Sequence, residues 1–241
     1  MADYETVEDY TVQEGNRVTS VTIRKTDDSQ YPCGWDYSLH YGTLEGETIL
    51  RYDNAHEREK GHERHTRATA SRKSSFPAWA IFRPDSTKKW MNTVPNRLSP
   101  SHHTMSEHTT LTIRVGRDEA ERVREETHDR IKAAERGDEL EERHVLVLED
   151  ESALSRLITE PNLELIQAIR QYEPSSMREA AELVGRGHKE VNQNLTVLEA
   201  LNVIDFVQEG RSKRPVVSFD EIEVDIPVAH SADSSESAIA P

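Results

Sequence analysis

"SMREAAELVGRGHKEVNQNLTVLEALNVIDF", residues Ser176–Phe206, is the stretch that decides the fold of the chain's second half. Ser176 and Glu179 have capping-box spacing: a hydroxyl takes an orphan backbone N–H, and a carboxylate three residues on returns the bond. Ala180, Ala181, Leu183 and Val184 follow, with small residues that let a neighbouring helix cross closely. Gly185-Arg186-Gly187 supplies a turn. A helix over about His188–Leu201 then puts Val191, Leu195, Leu198 and Leu201 on one face. At about 100° per residue, Lys189, Asn192, Gln193 and Thr196 point the other way.

On the upstream side, Pro161 can open a helix whose apolar face is Leu163, Leu165, Ile166 and Ile169. Downstream, Val203–Val207 and Pro215–Phe219 read as a hairpin across "QEGRSKR", with Arg211, Lys213 and Arg214 at its tip. Helix, capped helix, glycine turn, polar helix face and basic hairpin together predict a winged helix-turn-helix over 160–227. Asn and Gln pair with adenine edges, and Lys with guanine or phosphate, so Ser176, Arg186, Lys189, Asn192, Gln193, Thr196, Arg211, Lys213 and Arg214 form the expected DNA-binding set. The alternative is a plain three-helix bundle with a solvated polar face.

Before it, residues 105–159 hold a strand at Thr110–Val115 and a charged helix over Asp118–Arg136. That helix carries a thin apolar stripe of Ala120, Val123, Thr127, Ile131 and Ala134, and Gly137 ends it. A strand at His144–Asp150 and a short helix follow. Residues 83–104, "RPDSTKKWMNTVPNRLSPSHHT", carry three prolines and no periodicity, and read as a linker. The abrupt change there and the start-like Met105 also fit an out-of-frame junction between two former reading frames. The tail 228–241 is expected to be disordered.

The N-terminal part, 1–82, reads as a small antiparallel β-meander. Arg17–Lys25 alternates, and "WDYSLHYGTL" and "GETILRYD" give two further strands. Residues 1–10 are acidic and show little pattern. The last strand runs into "RYDNAHEREKGHERH", Arg51–His65, which holds three His, four Arg or Lys and four Asp or Glu. Arg51, Asp53, His56, His62, Arg64 and His65 are the candidate catalytic residues. RNA cleavage needs a base for the 2′-hydroxyl, an acid for the leaving oxygen and a cation for the phosphorane; His serves the first two, Arg the third. A zinc site on Asp53, His56, His62 and His65 is disfavoured by spacing and by the nearby cations. No metal or cofactor is expected. A solvated charged loop is the plain alternative.

Two resemblances bear on these readings. "VTIRK…WDYSLHYG…ILRYDNAHEREKGHERH" resembles the TumE family of toxin–antitoxin toxins over about Tyr10–Ile81. It implies a toxin fold and ribonuclease activity, and carries over Asp53, Asn54, His56, His62 and His65. Residues from about Thr109 to Val228 resemble the MarR-like winged helix-turn-helix regulators of halophilic archaea. That implies a DNA-binding autoregulator or antitoxin, dimeric through 110–136.

Charge divides the chain in the same way. Residues 1–104 hold 14 basic and 15 acidic side chains, and residues 105–241 hold 16 and 30, which together give the net −15. Acidic surface and 22 Arg against 8 Lys fit a salt-rich cytoplasm. One cysteine excludes an internal disulfide, no run approaches the roughly 20 apolar residues of a membrane span, and no signal peptide is visible. The sequence thus predicts an α+β, cytoplasmic fusion. A toxin-like half with possible action on RNA would precede a homodimeric regulator that binds double-stranded DNA at its own promoter. The two halves would touch in cis or in trans. The alternative is a winged-helix regulator with a non-catalytic N-terminal domain that binds a ligand or partner.

Overall fold

The computed structural model describes residues 3–31, 33–54, 64–67, 109–209 and 212–227, with 64–67 and Glu209 known as backbone only. The first expectation it changes concerns the acidic N-terminus. Tyr4–Glu14 is an eleven-residue strand, β1, and buried from Val7 to Gln13. Three strands follow as expected: β2 (Arg17–Thr26), β3 (Trp35–Thr43) and β4 (Thr48–Asp53). They form an antiparallel meander with β1, and a short β5 (Arg64–Arg67) adds to its far edge.

In the second half, β6 (Thr110–Val115), α1 (Glu119–Arg136) and β7 (His144–Leu148) lie where periodicity puts them. Gly137 closes α1 at φ 85°, a left-handed position that favours glycine. Next come α2 (Glu151–Leu157), α3 (Glu160–Tyr172), α4 (Met177–Leu183) and α5 (His188–Ala200). A two-stranded antiparallel pair, β8 (Asp205–Glu209) and β9 (Ser212–Val216), follows them. The sequence reading has no counterpart for β10 (Glu221–Asp225), which pairs parallel with β6.

The two halves share one sheet. Its order is β10-β6-β7-β1-β2-β3-β4-β5, and the join is a parallel pairing of β1 with β7, from Tyr10 opposite Val145 to Gln13 opposite Leu148. The fold is therefore mixed α/β: an antiparallel meander continued by three parallel-paired strands, with the helices of the described residues all in the second half. Strand alternation sends Tyr10, Val12, Val21, Ile23, Leu39, Val145 and Val147 to one face, where they bury Ala120, Val123 and Ala134 of α1. Val18, Leu111, Ile113, Leu146 and Leu148 face the other way and pack with α2–α5, including Leu165, Ile169, Leu195 and Leu198. The segment expected to mediate dimerisation thus packs on β1 of its own chain.

Capping follows the sequence in part. Ser176 Oγ accepts from Glu179 N at 3.2 Å, but the Glu179 carboxylate returns its bond to Ser175 N at 2.8 Å, one residue earlier than a capping box. The linker 83–104, "FPAWAIF" and the tail 228–241 lie outside the described residues.

Candidate functional site

The face of the meander opposite α1 is polar. Asp9, Thr11, Ser20, Thr22, Ser38, His40, Arg51 and Asp53 share it by register. Toward its β4 side, His40 of β3 stands directly opposite Arg51 of β4, and Ser38 opposite Asp53. Arg51 Nε donates to Asp53 Oδ2 at 2.9 Å, while the Arg51 side chain stays 55% exposed. One carboxylate therefore orients the guanidinium and leaves it open to a ligand. Asp53 Oδ1 is buried and makes no hydrogen bond among the described residues.

His40 Nε2 lies 2.9 Å from Thr48 Oγ1. Burial, and then the Arg51 charge, lower its pKa below the usual histidine value, so the ring is neutral near pH 7 and fit to act as a base. Gly42 makes this placement possible. A Cβ there would stand 2.5 Å from the Glu47 carbonyl oxygen and 2.9 Å from His40 Cε1. A side chain at 42 would displace either the turn or the imidazole. Further along the face, burial raises the Asp36 carboxyl against the opposing pull of Arg24, 3.8 Å away.

Asn54 has a structural task. Its Oδ1 accepts from Tyr37 N at 3.0 Å and its Nδ2 donates to Trp35 O at 2.7 Å, so it pins the chain leaving β4 to the start of β3. This accounts for Asn after Asp53 without chemistry. Of the candidate catalytic residues, the structure brings Arg51 and Asp53 together. Arg64 and His65 lie on β5, with Arg64 opposite Asp53 in backbone register. His56 and His62 lie outside the described residues. His40 was missed because a single His inside an alternating strand looks like any half-buried position. Its signal was the two-residue spacing to Gly42, a glycine with no turn to explain it.

In the second half, Lys189, Asn192 and Gln193 are exposed on α5. Thr196 is half-buried; its hydroxyl donates to Asn192 O at 2.9 Å, and its methyl lies against Gly46 of the β3–β4 turn. Arg186 is tied to Glu190 Oε1 at 2.6 Å and to Pro161 O at 2.9 Å, and Ser176 is occupied as the α4 cap. Lys213 is exposed, 5.7 Å from the Phe206 ring centroid, and Arg214 is half-buried. Arg211 lies outside the described residues.

Among the described residues no three His, Cys, Asp or Glu side chains group so as to hold a metal ion. None of the described helices is long and apolar enough to cross a membrane.

Comparison with known families matches two separate stretches of the chain and leaves residues 89–156 unmatched. Residues 3–88 match the family model Toxin TumE, which relates the N-terminal half to toxin–antitoxin systems. Residues 157–224, from the end of α2 to β10, match the family HVO_A0114, whose description names no activity. No curated protein and no solved structure matches the chain.

Proposed function

We propose that the chain joins a toxin-type ribonuclease to its own regulator. His40 opposite Arg51, with Asp53 orienting the guanidinium, is the observation that carries the first part. Neutral His40 takes the 2′-hydroxyl proton of RNA, and the oxygen attacks the adjacent phosphorus. Arg51 neutralises the charge that develops on the phosphorane oxygens. A histidine of the Arg51–His65 run, His56, His62 or His65, returns a proton to the leaving 5′-oxygen, with Arg64 as a second cation. This chemistry uses no metal.

The regulator part rests on α5 and the β8–β9 pair. Lys189, Asn192 and Gln193 face solvent together, as a helix reading a major groove requires, and Lys213 and Arg214 sit on the hairpin that follows. Ser176, Arg186, Thr196 and Arg211 complete the proposed contact set. In this reading the C-terminal half is a winged helix-turn-helix that dimerises, binds double-stranded DNA at its own promoter and restrains the toxin half, in the cytoplasm.

Expression of residues 1–104 tests the enzyme. It should slow growth and cleave RNA, co-expressed 105–241 should restore growth, and His40→Asn or Arg51→Met should remove the cleavage. Because this half shares its core with α1 and its sheet with β7, a fragment shown by circular dichroism to be folded that is harmless and leaves RNA intact sinks this part. The N-terminal half would then be the non-catalytic partner-binding domain of a regulator, a role its place in the shared sheet also fits. A gel shift tests the other part: Asn192→Ala with Gln193→Ala should abolish sequence preference, and unchanged discrimination would exclude α5 as the reading helix.

A further inference from the structure

We infer that β6, α1 and β7 form a strand-receiving surface whose ligand is an extended segment with two adjacent carboxylates, here Glu8–Asp9 of β1. This contact, and not the connecting segment, holds the two halves together. It deepens the proposed toxin–regulator reading by naming the contact through which restraint would act.

Without β1, β7 would present an edge of unpaired N–H and C=O groups. β1 fills it in parallel over four register pairs. Backbone pairing is indifferent to sequence, so the side chains must supply recognition. Neighbouring residues of a strand point to opposite faces, and the receiving surface has a basic partner on each, Arg143 on one and His144 on the other. On the α1 face Glu8 is completely buried, with Arg143 Nε at 3.0 Å from one carboxylate oxygen and its terminal nitrogen at 2.8 Å from the other. Arg130 adds a contact to Glu8 at 3.5 Å and donates to the Val7 carbonyl at 3.0 Å, beside the bulge between Thr6 and Glu8. On the opposite face, Asp9 Oδ2 lies 2.8 Å from His144 Nδ1, and Asp9 Oδ1 accepts from Asn202 at 3.2 Å.

The ion-pair partners of both carboxylates thus come from the second half. A slip of one residue would exchange the faces and leave a buried carboxylate without its partner, so the pair sets register as well as affinity. Lesser contacts cross the same seam: Gly15 N to Glu149 at 2.8 Å and Lys25 Nζ to Ala134 O at 3.4 Å. Glu126 closes the network behind Arg143 by holding Arg114 as well, at 3.0 Å.

The test uses the full chain with a specific protease site inserted between residues 83 and 104. The folded protein is cut and passed over a size-exclusion column. The halves should stay together, and Glu8→Lys with Asp9→Lys should let them separate. Glu8→Arg combined with Arg143→Glu should restore co-elution better than either change alone. For a variant that preserves folding, Glu8→Gln with Asp9→Asn should weaken association on dilution by about 30-fold or more, the scale of losing one buried charged partner. Wild-type halves that separate once cut, or a neutralised pair that associates as tightly as the wild type, would overturn the inference. The readout involves neither RNA cleavage nor DNA binding, so it fails or stands apart from the proposed function.

Discussion

Two polar clusters on the same sheet use the same side chains to opposite ends. At the seam, Glu8 and Asp9 meet Arg143, His144 and Asn202, and Glu8 is fully buried. On the β4 side of the sheet, Asp53 meets Arg51 beside His40, and Arg51 is 55% exposed. Both combine carboxylate, guanidinium and imidazole. They differ in saturation. Both oxygens of Glu8 and of Asp9 have fixed partners, whereas Asp53 Oδ1 makes no hydrogen bond among the described residues. A saturated cluster is a lock, because every alternative partner is worse. An unsaturated one keeps capacity for a ligand, at some cost in stability.

This contrast can be broken from either side. The largest effect should come from Arg143→Leu, which leaves a buried Glu8 with only the long Arg130 contact. A loss of about 3–5 kcal/mol is expected, read from urea or thermal unfolding in suitable salt. The double change Glu8→Leu, Arg143→Leu should cost less than the single one, and a double variant as unstable as the sum would argue against a buried-pair effect.

Gly42→Val comes next. The added side chain meets the Glu47 carbonyl and the His40 ring, and overpacking of this kind costs about 1–3 kcal/mol. The proposed RNA cleavage should fall more than stability does, since the imidazole must move. Ser176→Ala removes the α4 cap and should cost about 1 kcal/mol, without reaching either cluster.

The smallest effect is a slope with pH. The Asp9 hydrogen bond raises the His144 pKa against the opposing effect of burial; the charges of Asp9, Glu142 and Asp205 add to the rise. A folded pKa above the unfolded one stabilises the protein fully below the unfolded value, about 6.5, and that stabilisation is lost as pH rises through the folded value. Asp205, raised by burial and then by the Asp9 charge, acts in the same direction in the carboxylate range. The unfolding midpoint of the wild type should therefore drop relative to His144→Gln as pH climbs from 6 towards 9. Parallel curves would show that the pair does not titrate with folding.

Elements with an apolar rhythm were legible. Alternation found β2, β3, β4 and β6, and the stripe through Ala120, Val123, Thr127 and Ala134 found α1. Arg51 and Asp53 were both named from the sequence as candidates, but their pairing at 2.9 Å on one face of β4 came from the structure. β1 was not. Its apolar residues Val7, Tyr10 and Val12 alternate only after a bulge, and Glu8, Asp9, Thr11 and Gln13 look like a surface although all four are buried. β10 failed for a similar reason: its strand pairs with β6, more than a hundred residues away, while most of its side chains face solvent.

By itself the sequence determined where local rules suffice: the periodic strands and helices, the α1 stop at Gly137, the cap at Ser176 and the change in charge between halves. Those depend on neighbours along the chain. Only the tertiary structure decided that the halves form one sheet, that an acidic terminus is its central strand, and that His40 stands beside Arg51. Burial of a carboxylate is favourable only when a cation from elsewhere meets it, and nothing within a few residues of Glu8 announces Arg143.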